Sequence, residues 1–220
     1  MTTIDAVVLI SGRGSNLTAL LAAADAGQLG ARIVGAISNR PGALGLQSAA
    51  ARGIATRVVD HRQFVERAQF DAALAEAIDA FNPQLVILAG FMRILGETFV
   101  RHYQGRLLNI HPSLLPAYPG LDTHRRALAD GVRIHGCTVH FVTPALDHGP
   151  VIIQAAVPVL DDDDEATLAA RVLAQEHRIY PQAVRWFAEG RLQLQDSRVR
   201  LHAAQDDTAA LIAPSPSGSR

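Results

Sequence analysis

A doubly wound α/β fold, with a mostly parallel sheet and an antiparallel pair added in the C-terminal half, is predicted by three features of the sequence. Strand patterns recur at 6–10, 32–38, 55–59, 85–89 and 106–110, and those at 6–10 and 85–89 are the continuous apolar runs of strands buried on both faces. Helical patterns separate them, punctuated by glycine or proline, so β-α-β units with right-handed crossovers follow. Two longer strand patterns, 134–142 and 151–159, are joined by a short loop, which suits antiparallel pairing.

The first strand runs straight into Ser11-Gly12-Arg13-Gly14-Ser15-Asn16. A helix over 17–26 then sets Leu17, Leu20, Leu21 and Ala24 on one stripe, with Gly27 as its stop. Strand, glycine-rich turn and helix together suit an anion: main-chain N–H groups and the positive helix end point at one spot. Ser15 and Asn16 add side-chain donors, or one of them caps the helix. No Gly-Lys-Ser/Thr follows, and Leu17 stands where a dinucleotide fingerprint has its third glycine. The loop therefore reads as a monophosphate site or as a plain tight turn.

The strand at 32–38 ends in the turn residues Asn39-Arg40-Pro41-Gly42. Helices follow over 44–51 and 67–80, the second with Phe70, Leu74, Ala77 and Ile78 on one face. After the strand at 85–89, Phe91-Met92-Arg93-Ile94-Leu95 is apolar at all positions but one. Such a segment is either a lid over the core or the wall of a pocket for a flat ring. A short helix spans 97–102.

Leu107-Leu108-Asn109-Ile110-His111-Pro112 is the stretch richest in chemistry. Asn109 and His111 are two apart, so in a strand their side chains share a face. Pro112 cannot donate to a ladder and ends the strand. An amide and an imidazole thus project from a strand end, where ligands collect in open α/β sheets. Asn109 can donate to a developing oxyanion, and His111 can move a proton near neutral pH.

Pro112, Pro116, Pro119 and Gly120 make the next segment a loop, which Leu114, Leu115, Tyr118 and Leu121 keep ordered. Asp122 caps a helix to Ala129. The loop between the two long strands carries Asp147, a carboxylate available to hold an imidazole. The acidic run 161–165 suits the N-terminus of a long helix over 165–189 and matches no calcium-loop signature. Leu168, Val172, Ile179, Val184 and Trp186 are that helix's core candidates. A hairpin, 191–194 with 198–201, follows, and from Ala203 a polar, small composition predicts a disordered tail over 203–220.

The 220 residues carry a formal net charge of −1 and are 49% hydrophobic. That balance supports a substantial core and argues against a general nucleic-acid binder. No apolar run reaches the ~20 residues of a membrane span, and the N-terminus reads as a strand, not a signal peptide. The single cysteine, Cys137, excludes an internal disulfide framework, points to a cytoplasmic setting and reads as a small core residue. His124, His135 and His140 fall in one region, but a zinc site needs them to converge in space, and no metal is expected.

Taken together, four pieces resemble the phosphoribosylglycinamide formyltransferase family of folate-dependent formyltransferases. They are Ile10-Ser11-Gly12-Arg13-Gly14-Ser15-Asn16, Leu88-Ala89-Gly90-Phe91-Met92-Arg93-Ile94-Leu95, Asn109-Ile110-His111-Pro112-Ser113-Leu114-Leu115-Pro116 and Leu146-Asp147-His148-Gly149-Pro150. The resemblance implies a Rossmann-like formyltransferase core. It also implies transfer of the formyl group of 10-formyltetrahydrofolate, as co-substrate, to the amine of 5′-phosphoribosylglycinamide, a step of purine biosynthesis. Asn109, His111 and Asp147 would form the catalytic group. Gly14, Ser15, Asn16 and Glu176 would contact the ribonucleotide. Arg67, Met92, Arg93, Ile94, Leu95, Asn109, Thr143, Pro144, Ala145, Leu146 and Asp147 would form the folate site. On this reading a single domain, 1–202, divides into a phosphate-binding half, 1–105, and a folate and catalytic half, 106–202. The partners are small molecules, with neither nucleic acid nor membrane, and the protein is a monomer or homodimer. Arg13, His148 and Leu173 depart from the family pattern. The competing readings are a formyltetrahydrofolate hydrolase and a nucleotide-binding protein without catalysis.

Overall fold

The structure is a computed structural model that describes residues 3–204 together with Leu211, Ala213 and Pro214. Most of the tail over 203–220 lies outside the described residues. Seven strands form one sheet: β1 (Ile4–Ile10), β2 (Ala31–Ser38), β3 (Ala55–Val58), β4 (Leu85–Leu88), β5 (Leu107–His111), β6 (Ile134–Phe141) and β7 (Val151–Pro158). Their spatial order is β3-β2-β1-β4-β5-β6-β7. Strands β1 to β5 pair in parallel, and β6 and β7 are added antiparallel, as the loop between them predicts. The helices are α1 (Ser15–Asp25), α2 (Leu44–Ala50), α3 (Arg67–Asp79), α4 (Glu97–His102), α5 (Thr123–Ala129) and α6 (Glu165–Ala188). A hairpin of β8 (Leu192–Gln195) and β9 (Arg198–Leu201) follows.

Side chains of a strand alternate between faces, and here each face has its own core. Ala6, Val8 and Ile10 of β1 pack with Leu17, Leu20 and Leu21 of α1 and with Leu168, Val172, Tyr180 and Val184 of α6. Val7 and Leu9 of the same strand pack with Phe70, Leu74 and Ile78 of α3 and Phe99 of α4. Burial on both faces is why the central strands are continuous apolar runs. The fully buried Tyr180 hydroxyl donates to the carbonyls of Leu88 (2.8 Å) and Leu108 (3.1 Å), holding α6 at the ends of β4 and β5.

Three local expectations are corrected. Trp186 is only half-buried: it sits on the rim of α6 with the Arg191 guanidinium 5.8 Å from its ring. Asp122 precedes α5 but caps nothing, because its carboxylate turns onto Arg125 at 2.5 Å. Neither Ser15 nor Asn16 caps α1; Gly14 holds that place, with no side-chain cap at all. The acidic run does serve its helix. Asp164 and Thr167 form a reciprocal capping box. Asp163 pairs with Arg171, which holds its carboxyl down at about 2.

Candidate active site

Strands β1 and β4 are neighbours, with β2 beyond one and β5 beyond the other, so the strand order reverses between them. A crevice at the carboxyl ends of such a pair is where an open α/β sheet receives ligands. Here it encloses about 270 Å³ and is lined by Ser11, Gly12, Arg13, Gly14, Ser15, Asn16, Arg40, Ala89, Gly90 and Met92. The turn after β1 must fold back tightly to make it. Gly14 has φ +74°, and a Cβ there would meet the Gly45 Cα at 2.8 Å, so only glycine fits. Because α1 lacks a side-chain cap, its first N–H groups are left for whatever enters the crevice.

Two buried polar contacts fix this end. The Ser11 hydroxyl donates to Asn39 Oδ1 (2.6 Å) and accepts from the Met92 N–H (2.7 Å), tying the turns after β1, β2 and β4 together. Asn16 Nδ2 donates to Glu176 Oε2 at 2.7 Å, and burial raises the Glu176 carboxyl against that hydrogen bond. Glu176 is thus brought to the loop through Asn16.

The apolar segment after β4 covers the core only in part, with Leu95 packed against it beside Phe91. Phe91 turns inward, but Met92 and Ile94 are 58% and 61% exposed. Its far end is pinned where the Gly96 N–H donates to Asp71 Oδ2 at 2.8 Å. Asp71 is buried in α3, and burial raises its carboxyl against the Gly96 bond and the nearby charges of Arg67 and Arg93. Arg67 and Arg93 thus both bring their charge to Asp71 beside this segment.

At the end of β5, Asn109 and His111 share a face, as their spacing requires. Asp147 is delivered by the loop between β6 and β7, with φ +53°, a strained backbone for a non-glycine residue. Its Oδ2 accepts from the Gly120 N–H (2.8 Å) and lies 3.5 Å from His111 Nδ1. On the other side of the ring His111 Nε2 donates to the Tyr118 carbonyl at 2.9 Å. Thr143, Pro144, Ala145 and Leu146 make the turn into Asp147, with Leu146 53% exposed. Asn109, His111 and Asp147 meet beside the crevice without lining it.

The structure also gives two residues places that sequence spacing did not assign. Arg40 lines the crevice because the turn after β2 borders it. His140, opposite Asn109 in the β5–β6 register, has Nε2 3.2 Å from Asn109 Nδ2 and Nδ1 2.9 Å from the Phe141 carbonyl. The antiparallel pairing was the available signal, but it names no partner until the register is known. His124 and His135 meet edge to face at 5.3 Å, while His140 is turned to Asn109. Of the family departures, Arg13 lines the crevice, and His148 is exposed with its Nδ1 donating to the Leu146 carbonyl at 2.7 Å. Cys137 lies fully buried in the core, where burial pushes its thiol up to about 12.

Comparison with known proteins agrees with this geometry. Residues 5–184 match the formyl transferase family. Phosphoribosylglycinamide formyltransferase of Escherichia coli is 52% identical over 191 residues, covering 87% of this chain and 90% of that one. The trifunctional purine biosynthetic protein adenosine-3 of Drosophila melanogaster is 50% identical over 83% of this chain, which spans 14% of that longer protein. Among solved structures, glycinamide ribonucleotide transformylase 1 of Symbiobacterium toebii superposes with a TM-score of 0.89 at 49% identity, over 90% of this chain and 94% of that one. The chain belongs to the formyl transferase family.

Proposed function

We propose that the protein is a phosphoribosylglycinamide formyltransferase, which moves the formyl group of 10-formyltetrahydrofolate to the amine of 5′-phosphoribosylglycinamide. The observation that carries this reading is the meeting of Asn109, His111 and Asp147 beside a crevice whose floor is an uncapped helix N-terminus. The relatives' names support the substrates.

The substrate's phosphate sits on the N–H groups of Gly14, Ser15 and Asn16, with the Arg13 and Arg40 guanidiniums lining the same space. Glu176 reaches the ribonucleotide side through Asn16. The folate ring lies against Met92, Ile94 and Leu95, with Arg67 and Arg93 beside them and 143–147 as the facing loop. The amine attacks the formyl carbon, a C–N bond forms, and the carbonyl oxygen becomes an oxyanion. An Asn109 N–H stabilises that charge; one such donor is typically worth ~2.7–4 kcal/mol of barrier. His111 takes the surplus proton of the attacking nitrogen and hands it to the leaving folate nitrogen as the C–N bond to folate breaks and the carbonyl re-forms, with Asp147 facing the ring. His111 Nε2 is engaged by the Tyr118 carbonyl in this structure, so that contact opens before the proton moves. The mechanism needs no enzyme nucleophile and no metal. We assign the phosphate to the half at 1–105 and the folate and catalysis to 106–202, in an enzyme of the cytosol.

Purified protein is given 10-formyltetrahydrofolate with and without the ribonucleotide, and tetrahydrofolate release is followed by absorbance. Release only with the ribonucleotide, with formylated product found by mass, is expected. Equal release in both would make the protein a hydrolase. Binding of the ribonucleotide with no release in either would make it a non-catalytic binder.

A further inference from the structure

We propose that His140 is the positioning residue that turns the Asn109 amide so that its NH₂ group, not its oxygen, serves the reaction. This deepens the transferase reading above and rests on it.

His140 is 2% exposed and sits directly across the β5–β6 ladder from Asn109. Its Nδ1 lies 2.9 Å from the Phe141 carbonyl. A carbonyl only accepts, so Nδ1 carries the proton. Burial favours the neutral ring. In a neutral ring with Nδ1–H, Nε2 is a bare lone pair. That lone pair faces the Asn109 amide at 3.2 Å. It can only accept, so the amide presents its nitrogen there; the reversed amide would set two lone pairs against each other. Asn109 Nδ2 has two hydrogens. One is held by His140, and the plane of the amide then fixes the other, which is left for the oxyanion. Asp147 Oδ1, 3.9 Å from His140 Nε2, is too far for a hydrogen bond and leaves that lone pair free for Asn109. His140 thus touches no reacting atom; it selects one of two orientations that the strand backbone alone leaves equal.

The test is a double-mutant cycle with His140→Leu and Asn109→Ala, assayed for ribonucleotide-dependent formyl transfer. His140→Leu is expected to lower kcat about 10- to 100-fold, somewhat less than removing an oxyanion donor outright. The KM values for both substrates should stay within about twofold, since the amide orientation acts on the transition state. In the double variant the further loss should vanish, its kcat matching that of Asn109→Ala. Multiplying losses, or full activity in His140→Leu, would overturn the proposal. Should His140→Leu fail to fold, the ¹⁵N spectrum of histidine-labelled wild type decides. A protonated Nδ1 with a bare Nε2 at His140 supports the role, and a proton on Nε2 overturns it. That spectrum needs no turnover, so failure of this role and failure of the transferase reading are told apart.

Discussion

The turn after β1 and the end of β5 stand two strands apart along one edge of the sheet, and they are made of different material. The first offers mainly backbone: an uncapped helix end, a left-handed Gly14 and a glycine-to-glycine contact with Gly45. The second offers side chains held by other side chains and by carbonyls: Asn109 by His140, His111 by Tyr118 and Asp147. Among the described residues, the buried histidines His111, His135 and His140 all belong to the second region. A site made of backbone depends on conformation and tolerates changes of side chain. A site made of side chains depends on their identity and protonation. The first therefore fails through shape, the second through chemistry.

The sharpest way to break that contrast is Asp147→Asn. It keeps the shape and removes the charge facing His111, so kcat should fall about 10²- to 10⁴-fold, with the KM of each substrate little changed in steady-state assays. Full activity would remove Asp147 from the mechanism. The next effect is on stability against acid. Burial holds His135 at about 4, below its ordinary 6.5, so the unfolded chain binds the extra proton between those values. Stability should fall as pH drops through 6.5 and this contribution be lost by about pH 4, a loss of roughly 3 kcal/mol. Urea midpoints from pH 7 to 4 would show it, and His135→Phe should flatten the curve; an unchanged slope would locate the acid sensitivity elsewhere. Gly14→Ala probes the backbone region. Its left-handed backbone alone should cost roughly 1–2 kcal/mol in thermal unfolding, and the ribonucleotide KM should rise while the folate KM stays put. Smallest is Arg13→Ala, for which we expect a two- to fivefold rise in ribonucleotide KM, about the worth of an exposed charge contact, shrinking as salt is added. A large kcat effect there would mean that the region acts through identity after all.

The same division explains what could be read before the fold was seen. Continuous apolar runs such as Val7-Val8-Leu9-Ile10 reveal buried strands because both faces meet a core. The pair Asn109 and His111 is legible because a strand's period is local. Asp147 is legible only as a carboxylate on a loop; its approach to His111 depends on how the antiparallel pair docks. Arg40 was silent, and His140 drew notice only for its nearness to His124 and His135, for the same reason: register and strand order set their partners, and neither leaves a trace in spacing. Trp186 misled because the helical period gives the stripe but not where the stripe meets the rim. Asp122 misled because Arg125 competed for its carboxylate.

The strand order has a consequence for how the chain is born. β1 lies in the interior of the sheet, yet its second neighbour, β4, is completed only at Leu88, long after β1 ends at Ile10. At ribosomal speeds of roughly 5–20 residues per second, β1 waits about 4–16 seconds with one hydrogen-bonding edge unpaired and its apolar side chains uncovered by α6. During that interval the nascent chain is a sticky ribbon. Chaperone occupancy should peak before residue 88 leaves the exit tunnel and fall once β4 can slot in beside β1.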